Sequence, residues 1–111
     1  MEIGLDIVEI QRIRRLIKGN PRFMNRVFTP HEIAYCREKK DPWQHYAVRF
    51  AAKEAVWKAI DRDGLALKDI SVSRDERGKP GVMIRGRRVP GFKLSLSHSD
   101  NYAVAVAIKL K

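Results

Sequence analysis

The chain has 111 residues, 44% of them hydrophobic, enough for one compact core and too few for two ordinary domains, so residues 1–111 are expected to form a single domain. With 23 Lys and Arg against 13 Asp and Glu, the formal charge of +10 predicts an anionic partner: a nucleic acid, a phosphorylated ligand, an acidic protein or a membrane surface. A single cysteine, Cys36, excludes an internal disulfide framework and a cysteine-rich zinc site, and with no signal-peptide pattern or bilayer-length apolar run the expected compartment is the cytoplasm.

Glu2 to Val8 alternates Ile3, Leu5 and Ile7 with Glu2, Gly4 and Asp6, which predicts a strand with an apolar face and Asp6 on the other. The period then changes. Ile10, Ile13, Leu16 and Ile17 make a helix face, Arg12, Arg14, Arg15 and Lys18 cover the rest, and Gly19, Asn20 and Pro21 end it. Arg22 to Phe28 reads as a short helical turn. Thr29, Pro30, His31 and Glu32 form a capping box with proline at the first helical position, opening a helix to about Arg37 in which Cys36 is a small apolar filler.

Asp41 and Pro42 repeat the helix-start signal for a segment running to about Asp61, with Gly64 as the stop. Ala47, Ala51, Ala52, Ala55 and Ala59 leave so little polar circumference that this is the expected central helix. Ile70 to Arg74, a glycine-dependent turn at Asp75 to Gly78, and Gly81 to Arg85 predict a hairpin. Arg85 to Gly91 follows as a connection too short for a helix around Pro90. Phe92 to His98 and Tyr102 to Leu110 predict a second hairpin, whose last strand has an alanine face, Ala103, Ala105 and Ala107, suited to lie close under a helix or another subunit. The order of elements is that of an α+β fold, with a mainly antiparallel sheet packed against a long central helix.

One residue conflicts with that core. On a helical wheel Glu54 falls between Trp43, Ala47, Phe50 and Trp57, with Lys58 one turn on, and an unpaired carboxylate there would be protonated, paired or metal-bound. Asp6, at the end of the first strand, is placed to converge on it, and two carboxylates suit Mg²⁺ rather than zinc. The ordinary alternative makes Asp6 a helix cap and Glu54 an i,i+4 partner of Lys58. Spacing leaves both open. His98 ends a serine-rich strand as either a ligand contact or a satisfied rim histidine.

There is no nucleophile elbow, Walker loop or dinucleotide fingerprint, although Gly78, Lys79, Pro80 and Gly81 make a tight basic turn able to bring backbone donors to a phosphate or base. Arg12, Arg14, Arg15, Lys18, Arg22 and Arg26 are opposed by Glu9 alone, a field suited to an acidic protein helix or a nucleic acid backbone. A non-enzymatic nucleic-acid-binding module is therefore the rival reading, though no helix-turn-helix, RNP aromatic or zinc-knuckle pattern supports it.

Three stretches, IGLDIVEIQRI, FAAKEAVWKA and SLSHSDNYAVAVA, resemble in order and spacing the holo-[acyl-carrier-protein] synthases, small 4'-phosphopantetheinyl transferases; TPHEIAYC and DERGKP extend the likeness over most of the chain. The resemblance implies Mg²⁺-dependent transfer of 4'-phosphopantetheine from coenzyme A to a serine of an acidic apo acyl carrier protein, in fatty acid biosynthesis, by a homotrimer with active sites between subunits. It makes Asp6 and Glu54 the metal ligands and Lys58 the residue that neutralises the pyrophosphate. It also brings Arg49 and His98 to a coenzyme A phosphate or nucleotide and Lys79 and Pro80 along the adenine. The helix carrying Arg12, Arg15 and Lys18, continued by Arg22, becomes the docking face for the carrier protein. One departure stands out: family members usually have a longer, helix-containing segment where this chain has Arg85 to Gly91.

Overall fold

The alanine-rich stretch forms the central helix, and its small side chains decide what lies against it. The computed structural model describes residues 1–110, in the order β1 (Glu2–Glu9), α1 (Ile10–Gly19), α2 (Pro21–Val27), α3 (Pro30–Arg37), α4 (Pro42–Ile60), a 3₁₀ turn (Leu67–Asp69), β2 (Ile70–Arg74), β3 (Pro80–Ile84), β4 (Arg87–Val89), β5 (Phe92–His98) and β6 (Tyr102–Lys109). Asp41 caps α4 by accepting from Gln44 N–H, Pro42 occupies the first turn, and Asp61 ends the helix in the left-handed region at φ 46°. Asn20 closes α1 and opens α2, its side chain accepting from Arg22 N–H at 3.1 Å.

The expected antiparallel sheet is divided in two. One sheet has the order β1-β6-β5 and the other β2-β3-β4, with every pairing antiparallel. The register of the first aligns Gly4 with Ala107 and Leu94, Asp6 with Ala105 and Leu96, and Val8 with Ala103 and His98. This small-residue face packs on α4, and Ala47, Ala51, Ala55, Ala103, Ala105 and Ala107 are fully buried. Close approach requires it: a Cβ on Gly4 would lie 1.8 Å from the Ala55 carbonyl oxygen, inside any permitted contact.

The apolar face of β1 points the other way. Ile3, Leu5 and Ile7 remain 64%, 55% and 63% exposed, next to Val104, Val106 and Ile108 of β6. Among the described residues nothing covers this face. The Arg85 to Gly91 connection also holds a strand that the sequence reading missed. Arg85 and Gly86 both have positive φ, 50° and 79°, the two-residue turn that matches strand twist, and it folds β4 back onto β3 with Ile84 opposite Arg87. The available signal was Gly86 placed two residues after Ile84.

Cys36 is buried, and burial pushes its thiol up to about 11, consistent with a filler rather than a nucleophile.

Candidate active site

The close packing of β1 on α4 brings Asp6 beside Glu54 and Lys58. Lys58 Nζ donates to the Leu5 carbonyl at 3.0 Å and to Asp6 Oδ1 at 3.2 Å, so the lysine joins the strand to the helix. The i,i+4 ion pair between Glu54 and Lys58 is not formed, and α1 is capped at Glu9, without a side-chain bond, rather than by Asp6. Asp6 is thus the ion-pair partner of Lys58 in place of Glu54, and it does not cap α1. Glu54 is half-buried; burial pushes its carboxyl up, the Asp6 charge pushes it further, and Lys58 only partly opposes them. Two acids and one lysine leave a negative charge in excess, and the donor set of hard carboxylate oxygens fits a divalent cation such as Mg²⁺.

The other expected ligand contacts lie elsewhere on the chain. Arg49 and Glu54 are five residues apart on α4, about 140° around the helix. Arg49 instead stacks on the Tyr35 ring, 4.3 Å from its centroid, and lines a cavity with Lys68, Ser73 and Arg74. His98 is exposed at the rim, 2.7 Å from the Gln44 amide nitrogen. Lys79 and Pro80 lie on the β2–β3 turn, where the Arg77 and Lys79 N–H groups both donate to Asp75 Oδ1 at 2.9 Å. Those backbone donors are thus engaged within the turn and are not available to a phosphate or base as the Gly-Lys-Pro-Gly pattern had allowed.

On α1, Arg12, Arg15 and Lys18 are exposed, as is Arg22 at the start of α2. Glu9 neutralises only Arg15, at 3.2 Å, while Lys18 and Arg14 lie over the Trp43 ring at 5.6 and 5.7 Å. The basic face therefore remains largely uncompensated.

The sequence singles out Glu54 as the charge conflicting with the core of α4; the structure holds Glu54 half-buried and buries its neighbour completely. Lys53 is fully buried and ion-paired to Glu32 at 2.8 Å. Its ammonium also donates to the carbonyls of Leu67, at 3.3 Å, and Ile70. Glu32 accepts from Thr29 N–H at 2.9 Å in the predicted capping box, so one carboxylate caps α3 and anchors α4. The capping signal was legible, but its second use was not, because nothing local links positions 32 and 53.

The 4'-phosphopantetheinyl transferase superfamily profile matches residues 2–107. A holo-[acyl-carrier-protein] synthase of Clostridium botulinum is 47% identical over 115 residues, spanning 96% of this chain and 94% of that protein. Among solved structures, a holo-(acyl-carrier-protein) synthase from Bacillus anthracis in complex with CoA (3',5'-ADP) superposes with a TM-score of 0.79 at 34% identity, over 96% of this chain and 92% of that one. The holo-[acyl-carrier-protein] synthase from Neisseria meningitidis gives a TM-score of 0.83 at 30% identity, over 99% and 98%.

Proposed function

As the chain belongs to the 4'-phosphopantetheinyl transferase superfamily, we propose that it transfers 4'-phosphopantetheine from coenzyme A to a serine of an apo acyl carrier protein, releasing adenosine 3',5'-bisphosphate. The observation that carries the site assignment is the convergence of Asp6, Glu54 and Lys58, with excess negative charge, where β1 crosses α4. Asp6 and Glu54 would hold Mg²⁺, which supplies charge neutralisation for the pyrophosphate when bound. Lys58 places an ammonium against the same group. The carrier serine oxygen attacks phosphorus, the pyrophosphate P–O bond breaks, and the nucleotide leaves with the bond electrons. In this reading the serine proton passes through water to Glu54.

Arg49, His98, Lys79 and Pro80 contact the nucleotide end of coenzyme A in this reading. Because Arg49 and Glu54 face different sides of α4, one coenzyme A reaches both sets most simply when they come from neighbouring copies. The uncovered apolar face around Ile3, Leu5 and Ile7 supports a homotrimer closed on that face. Arg12, Arg15, Lys18 and Arg22 receive the acidic carrier protein. Residues 1–111 act as one cytoplasmic transferase domain serving fatty acid biosynthesis.

Incubation with coenzyme A, Mg²⁺ and an apo carrier protein is expected to raise the carrier mass by one phosphopantetheine. An unchanged mass across a panel of carriers, with binding of duplex or single-stranded nucleic acid that weakens steeply with salt, would instead support the basic-module reading.

A further inference from the structure

Trp57 is 46% exposed on a helix whose other large side chains are mostly covered. It is nevertheless held in place: its Nε1–H donates to the Leu65 carbonyl at 3.0 Å, fixing the ring beyond the end of α4. An indole with its polar atom already satisfied has only its apolar face left to offer. Lys58 is the next residue, and both line a surface cavity with Asp61, Arg62 and Asp63.

The charge around this cavity narrows its occupant. Asp61 and Asp63 outnumber Arg62, so the rim away from Lys58 does not attract a second phosphate. It suits an uncharged chain that begins at a phosphate. Coenzyme A has such a segment: beyond the phosphate nearest the arm, the pantetheine carries a gem-dimethyl carbon and then two neutral amides. With the pyrophosphate on Lys58, the two methyl groups come within a few bonds of the lysine, where the fixed indole offers an apolar wall and the loop carboxylates offer acceptors to amide N–H groups.

We propose that Trp57 and the Asp61–Asp63 loop form the subsite for the pantetheine arm, with Trp57 positioning the group that is transferred. This rests on Lys58 holding the pyrophosphate as proposed above. Trp57 is then a specificity residue for the arm of the donor, with no part in holding its nucleotide or in docking the carrier.

Two measurements test it. In a Trp43→Phe background Trp57 is the only tryptophan; coenzyme A is expected to alter its fluorescence, and adenosine 3',5'-bisphosphate, which lacks the arm, is expected to leave it unchanged. Equal responses to the two ligands, or no response to coenzyme A under conditions of active turnover, would overturn the subsite. In steady-state transfer, Trp57→Ala is expected to raise the coenzyme A KM about tenfold, the loss of an apolar wall for two methyl groups. The inhibition constant of adenosine 3',5'-bisphosphate and the carrier KM should stay at their wild-type values, and Trp57→Phe should recover part of the loss. A parallel rise in the inhibition constant would mark general damage to the site, and a rise confined to the carrier KM would assign the ring to the carrier; either result refutes the proposal. Wild-type turnover, measured alongside, separates failure of this subsite from failure of the transferase reading.

Discussion

Helix α4 carries two lysine and carboxylate arrangements of the same chemistry in opposite environments. Lys53 and Glu32 are sealed, with 0% and 7% of their side chains exposed, and each makes further hydrogen bonds. Lys58 and Asp6 are open, 47% and 16% exposed, and beside them Glu54 forms no ion pair among the described residues. The sealed pair joins α3, α4 and the segment entering β2, so its polar groups are structural. The open set has unmet electrostatic demand and access to solvent, which are the conditions under which ligands and metals bind. Five residues of one helix thus separate a pair that holds the fold together from a set open to a ligand.

Substitutions should divide along that line. Glu54→Gln is expected to reduce transfer at least about a thousandfold, since under the proposed mechanism it removes both a metal ligand and the proton acceptor, while thermal unfolding shows no loss of stability. Transfer at the wild-type rate would take Glu54 out of the mechanism. Lys53→Met should behave in the opposite way, losing roughly 3–5 kcal/mol of stability in denaturant unfolding because Glu32 is left buried without its cation. Adding Glu32→Leu should recover much of that loss; an unstable double variant would mean that the pair contributes more than relief of an unpaired charge.

Gly4→Ala links the two regions, because the new methyl must push β1 away from Ala55 and carry Asp6 with it. A cost of about 1–3 kcal/mol of stability is expected, with a loss of activity exceeding what the unfolded fraction explains. The smallest effect is in pH dependence. Burial and Asp6 hold Glu54 above its ordinary 4.5, so the native state keeps this proton at pH values where the unfolded chain has released it. Glu54 therefore costs stability as pH rises from 4.5 through its raised value, and the penalty is absent below that window. Unfolding curves measured without divalent cations should show this decline in the wild type and not in Glu54→Gln. Mg²⁺ should offset it.

The helix limits are legible in the sequence because their signals are local. Thr29, Pro30 and Glu32 state a capping box within four residues, and Asp41 with Pro42 does the same for α4. The strand β4 is not legible in the sequence although Arg85 and Gly86 form its turn, since Arg87 to Val89 is short and runs directly into Pro90. Trp57 was counted with the apolar neighbours of Glu54 and lies exposed, because a wheel gives direction on the helix but not what stands opposite.

By itself, then, the sequence determined the element order, the helix limits, the buried character of α4 and the three motifs that resemble the transferases. Periodicity, capping and short motifs depend on neighbours within a few residues. Only the tertiary structure decided that β1 meets α4 through Gly4 and leaves Ile3, Leu5 and Ile7 outside, that Glu32 is the partner of Lys53, and that Lys58 reaches Asp6 and leaves Glu54 in charge excess. Each of those outcomes depends on which segments, distant in sequence, can approach closely enough to exclude water. Side-chain volume and charge at both contacting surfaces decide that together, and neither surface specifies it alone.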